Sequence, residues 1–206
     1  MNLRIRTIAR TTAAACLLLS AMTAASAASY TAILTGPKEA PPNSSPGVGA
    51  TVVTFDATTH VLEVNVAFSG LTGETTAAHI HCCTTTPGSG TAGVATETPT
   101  FGSFPLGVGS GAYTNTYDTS LPASWSAAFL GANGGTTAGA EAAFTAGLNS
   151  GGAYLNIHST DYPGGEIRGF LVPFAPVPEP AGYAMLALGL PAVMMIARRR
   201  SRKTQA

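Results

Sequence analysis

Charge is what this sequence has least of. Of 206 residues, 10% are charged and 45% are apolar. That composition excludes a generic disordered chain, which has too little apolar surface to fold. Lysine is almost missing, and no Gly-Lys-Ser/Thr occurs, which excludes a phosphate-binding loop. No Gly-x-Ser-x-Gly nucleophile elbow occurs either. Cysteine is restricted to Cys16, Cys82 and Cys83, which excludes a disulfide framework, and adjacent cysteines do not make a zinc knuckle. Glycine and proline are not scarce: 24 and 14 of them punctuate the chain every few residues. That density disfavours a helix bundle.

The formal net charge of +0 conceals a segregation. Eight of the ten bases lie in the first ten or last nine residues. Between 28 and 178 only Lys38 and Arg168 remain, against nine acids, a net of −7. Such a body cannot bind nucleic acid by neutralising phosphates.

Both ends read as addresses. Arg4, Arg6 and Arg10 precede an apolar run, Ala13 to Met22, and then Ala25-Ser26-Ala27. This is the charged, apolar, small-x-small order of a signal peptide over residues 1–27, cleaved near Ala27. Cys16 would leave with it. At the other end, Pro178-Glu179-Pro180 leads into Ala181–Ala197, which carries no charge, and then into Arg198-Arg199-Arg200-Ser201-Arg202-Lys203. As a helix that run would reach about 26 Å, near the hydrocarbon thickness of a bilayer. It is expected to be a C-terminal transmembrane helix with its basic tail cytoplasmic and the body outside.

This tripartite end, residues 176–206, resembles the PEP-CTERM sorting signal of bacterial envelope proteins. The resemblance implies an exosortase-type processing enzyme as partner and cleavage near Pro178, Glu179 and Pro180. It also implies transient anchoring in the inner membrane, then delivery to the cell surface or exopolysaccharide matrix.

The body, residues 28–175, shows period-two alternation in short segments. Expected strands are Tyr30–Thr35, Val48–Asp56, His60–Phe68, Ala77–Cys83, Tyr113–Tyr117, Tyr154–His158 and Glu166–Val172. The clearest is the third, where Leu62, Val64, Val66 and Phe68 share a face. Leu121–Leu130 and Thr137–Leu148 carry alanines at helical spacing and read as a short helical insertion. The expected fold is all-β, an antiparallel sandwich of immunoglobulin-like or superoxide-dismutase-like type.

Four segments, in order, resemble the CHRD domain, the module named for its repeats in chordin. They are Glu39-Ala40-Pro41-Pro42, Ala78-His79-Ile80-His81, Tyr154-Leu155-Asn156-Ile157-His158 and Pro163-Gly164-Gly165-Glu166-Ile167-Arg168-Gly169. The resemblance runs from about Tyr30 to Val172. It implies an all-β extracellular module with no established catalytic activity.

Three of the four histidines fall within those motifs. On a strand, His79 and His81 point to one side, and His158 ends another strand. Two readings stand: three neutral imidazoles holding copper or zinc, or polar groups satisfied within the fold. In the first, Asp161 or Glu166 would orient an imidazole; in the second, Arg168 would pair with one of them. The pattern also resembles the copper-site histidines of copper/zinc superoxide dismutases, but no histidine lies between Cys83 and Ser110 to supply the bridging or zinc ligands. Cys82-Cys83, in an oxidising compartment, reads first as a vicinal disulfide, then as a thiolate ligand beside His81, then as free or intermolecular thiols.

No pair of carboxylates is set by the sequence at the separation glycoside hydrolysis needs. The chain therefore reads as a non-enzymatic envelope or matrix module with exopolysaccharide or surface proteins as partners. A metal-binding or redox protein is the alternative.

Overall fold

The structure is a computed structural model that describes residues 27–174. The signal peptide, Cys16, the Pro178-Glu179-Pro180 motif and the C-terminal apolar run lie outside the described residues. Among those described, no helix is long and apolar enough to cross a membrane.

Among the described residues eight strands and two α-helices follow in chain order. They are β1 (Ala28–Thr35), β2 (Val48–Asp56), β3 (Val61–Ser69), β4 (Thr75–His81), β5 (Gly111–Asp118), α1 (Ala127–Ala132), α2 (Thr137–Ser150), β6 (Tyr154–Ser159), β7 (Ile167–Phe170) and β8 (Val172–Phe174). The strands form one antiparallel sheet in the order β4-β6-β7-β1-β2-β3-β5, with β8 also on β1.

This corrects the expected sandwich: the fold is a single curled sheet, a half-barrel. The reason lies in β1. One edge of β1 pairs along its length with β2, while the other pairs with β7 and β8. The ladder therefore never breaks into two sheets. Strand twist curls it, and the concave side gathers Leu34, Val53, Leu62, Val64, Ile80, Leu155 and Ile167, all fully buried.

The helical insertion falls where the sequence places it, between β5 and β6. Ser126 and Thr136 cap the two helices by accepting from the N–H of Phe129 and Gly139, a standard stabilising device. From α2, Phe144 enters the core edge-on to Phe55 and Trp125, each ring 5.4 Å away. The expected last strand is two: Leu171 turns inward and gives its N–H to Ala153, which separates β7 from β8.

β4 and β6 break the alternation seen elsewhere. Ala78, His79, Ile80 and His81 are all buried, as are Tyr154, Leu155, Asn156 and Ile157. Both faces of this corner are covered. On one side lies the core. On the other lies the segment 84–110, which has no strand or helix of its own. It runs along the free edge of β4, where the N–H groups of Cys82, Ala95 and Phe101 bond with Gly93, Ile80 and Ala78. An otherwise open sheet edge is thereby occupied.

Phe144→Ala removes a fully buried ring from the meeting point of α2 and the sheet. Chemical denaturation is expected to show a loss of about 3–5 kcal/mol, with the native spectrum retained.

Candidate metal centre

The doubly covered corner is where the histidines meet. His79 and His81 share the outer face of β4. The β4–β6 register sets Ala77 opposite His158 and His79 opposite Asn156, so His158 lies diagonal to His79, within side-chain reach. The ring centroids are 5.8 Å (His79–His81), 5.3 Å (His79–His158) and 6.0 Å (His81–His158) apart.

Each ring has one nitrogen engaged and one free. His79 Nε2 lies 2.5 Å from the carbonyl oxygen of Pro99, His81 Nδ1 2.9 Å from that of Ala92, and His158 Nδ1 2.9 Å from that of Pro163. A carbonyl only accepts, so each engaged nitrogen carries the proton. The opposite atoms, His79 Nδ1, His81 Nε2 and His158 Nε2, are buried and have no hydrogen-bond partner. Burying a polar atom unpaired costs free energy, and here three such lone pairs lie together. One nitrogen from each ring falls within 4.8 Å of the others. Nitrogens on a tetrahedral ion sit about 3.4 Å apart, so closing on an ion needs ring movements of about an ångström.

Electrostatics keeps the rings neutral. Burial lowers the pKa of all three, more than the carbonyl hydrogen bonds raise it for His79 and His158. For His81 burial, helped by the neighbouring histidines and Arg168, brings it to about 4. Neutral imidazole is the ligand form. Three such donors suit copper or zinc and leave a fourth coordination position for a non-protein ligand.

The surroundings of the cluster differ from expectation. Glu166 does not orient an imidazole; it accepts from Ser45 Oγ (2.5 Å), Thr72 N (2.6 Å) and Thr72 Oγ1 (2.9 Å), clasping two loops. Burial works to raise its pKa, but hydrogen bonds from Ser159, Ser45 and Thr72 outweigh this and hold it low. Asp161 is exposed, and among the described residues its carboxylate accepts a hydrogen bond from Thr160 Oγ1 at 3.4 Å. Backbone carbonyls take the orienting role instead: those of Ala92 and Pro99 from the covering segment for His81 and His79, and that of Pro163 from the β6–β7 turn for His158.

Arg168 pairs with neither acid. Its nearest carboxylate is Glu39 at 3.8 Å, and its guanidinium lies 4.8 Å from the centre of the Tyr154 ring. Tyr154 in turn stacks flat on His81, centroids 4.8 Å apart. The Cys82 and Cys83 sulfurs are bonded to each other, so neither is a thiolate ligand; they pack against Gly147 of α2. His60 stands apart from the cluster, with Nδ1 2.8 Å from Glu141 Oε1.

Glu39 escaped the sequence reading as a site residue, although it opens the first motif. It is buried beside Arg168, and its Oε1 has no partner. Burial pushes its carboxyl up to about 7, with Arg168 and the Ala40 N–H offsetting only part.

All four motifs thus converge on one corner: Glu39, then His79 and His81, then Tyr154 and His158, then Pro163 and Arg168. The CHRD domain model matches residues 30–171. The chain belongs to the CHRD domain family. CHRD domains are found in extracellular proteins. No curated protein and no solved structure matches the chain significantly.

A pH test follows from His81. Its imidazole titrates near 6.5 when unfolded and near 4 when folded. The unfolded chain therefore binds the proton first, and the stability that neutral His81 contributes is complete above pH 6.5 and lost on the way down to pH 4. In metal-free protein, the stability gap between wild type and His81→Gln is expected to shrink over that window, by on the order of 3 kcal/mol. Glu39 titrates with the opposite sign, and His79 and His158 with the same sign, but all three are common to both proteins, so denaturation midpoints compared at each pH read His81 together with its coupling to the two neighbouring rings.

Proposed function

We propose that this CHRD-domain protein is exported to the bacterial envelope or extracellular matrix and there holds one copper or zinc ion at His79, His81 and His158. The observation that carries the reading is the set of three buried imidazole nitrogens without partners, each on a ring whose other nitrogen is tied to a carbonyl. A merely structural histidine would have both nitrogens satisfied or one in water. The enclosure of the ligand atoms supports a holding role, and the domain acts as a non-enzymatic binding module. An ion there would tie β4, β6 and the covering loops together.

Export and processing rest on the two ends of the sequence. The signal peptide and the Pro178-Glu179-Pro180 motif, with its apolar run and basic cluster, support handling by an exosortase-type enzyme after transient membrane anchoring. Exopolysaccharide or other surface proteins are the partners this address supplies.

Protein exported to an oxidising compartment and purified without chelator or histidine tag is expected to carry, or take up, one copper or zinc ion per chain. His79→Ala, His81→Ala and His158→Ala should each weaken binding at least 100-fold while the far-ultraviolet spectrum is kept. Elemental analysis with metal titration checks this. Wild-type protein that refuses both ions contradicts the metal site.

A further inference from the structure

The only lysine and arginine among the described residues, Lys38 and Arg168, line the same groove. Its volume is about 500 Å³, within the usual range for small-molecule sites. In a body of net −7, this is a local concentration of positive charge. We infer that the groove binds the carboxylate of an acidic sugar, a uronate, independently of the metal centre.

Arg168 is 96% buried (4% exposed) and fixed from two sides. Its Nε donates to the carbonyl of Lys38 at 2.5 Å and its Nη1 to that of Gly90 at 3.0 Å. These bonds use two of its five N–H donors, leaving Nη2 for a ligand. A planar guanidinium held in place is suited to a carboxylate. Glu39, also buried in the lining, faces Arg168 through Oε2 at 3.8 Å, while its unpartnered Oε1 is turned toward Gly165 and Asn156. Phe170 lies under the guanidinium, 5.5 Å from it, and forms an apolar wall against which a sugar ring can lie. Ser89 and Gly90 close the opposite side.

Charge decides which anion. Above pH 7, where Glu39 is ionised, two cations less one carboxyl leave a net of about one positive charge, which matches a monoanionic carboxylate better than a phosphate near two negative charges. The groove is distinct from the histidine cluster, though both touch the segment from Gly88 to Ala92.

The test is calorimetric titration of the full chain with a galacturonate trimer and with its methyl ester, which keeps the rings and removes the charge. The acid is expected to bind at least tenfold more tightly, and the difference to shrink as salt is added. Lys38→Gln and Ser89→Asp alter exposed side chains. They should weaken binding about threefold and at least tenfold, with thermal unfolding unchanged. Binding should survive chelator treatment and His79→Ala, which separates it from the metal reading. Equal binding of acid and ester, no binding, or unchanged affinity in both variants would overturn the inference. So would binding confined to metal-loaded protein, or displacement by inorganic phosphate at lower concentration than by galacturonate.

Discussion

The carbonyl oxygens of Pro99, Ala92 and Pro163 each accept the N–H of one imidazole, and the character of the site depends on those three bonds. A ring that spends its proton on a carbonyl presents a lone pair at the other end. Three rings so treated, on two neighbouring strands, bring one nitrogen each to within 4.8 Å of the others. Burial completes the arrangement by disfavouring the imidazolium form that would put a proton back on the free nitrogen. The surrounding loops therefore set the chemistry, and the sheet sets the position.

That division explains the long segment between β4 and β5. Without regular structure, it bonds to the edge of β4 and supplies the carbonyls of Ala92 and Pro99. Gly90 and Ala92 bind it from two directions: Gly90 accepts from Arg168, while Ala92 accepts from His81 and donates to the Tyr154 hydroxyl. Arg168, Tyr154 and His81 themselves lie in ring contact. The helical insertion does a different job. It caps the core from the concave side, packs Gly147 against the disulfide, and holds the covering segment through Ser126, whose N–H donates to the Ala95 carbonyl and whose hydroxyl donates to that of Val94.

Much of this was legible in the sequence. Leu62, Val64, Val66 and Phe68 alternate cleanly because β3 buries one face, and the structure places that strand within a residue of expectation. His79, Ile80 and His81 announce a pair on one face, and the motif at 154–158 supplies the third ring. The closure of the sheet was not legible. Alternation records that a strand has one buried face, not which surface covers it, so a curled single sheet and a sandwich leave the same trace. The orienting groups were equally hidden, since a backbone carbonyl has no signature and the sequence suggested carboxylates instead. Glu39 meets Arg168 across most of the chain, a proximity no local pattern encodes.

The account is tested most directly by the protonation pattern of the three rings in metal-free protein near pH 7. Long-range ¹⁵N–¹H correlation spectra of the imidazoles report which nitrogen of each carries the proton. The expected result is a mixed set: proton on Nε2 of His79 and on Nδ1 of His81 and His158, all three rings neutral. Three rings protonated alike on Nε2, or averaging rapidly between tautomers, would mean that the carbonyls do not hold them. The convergence of lone pairs, and with it the metal centre, would then be contradicted.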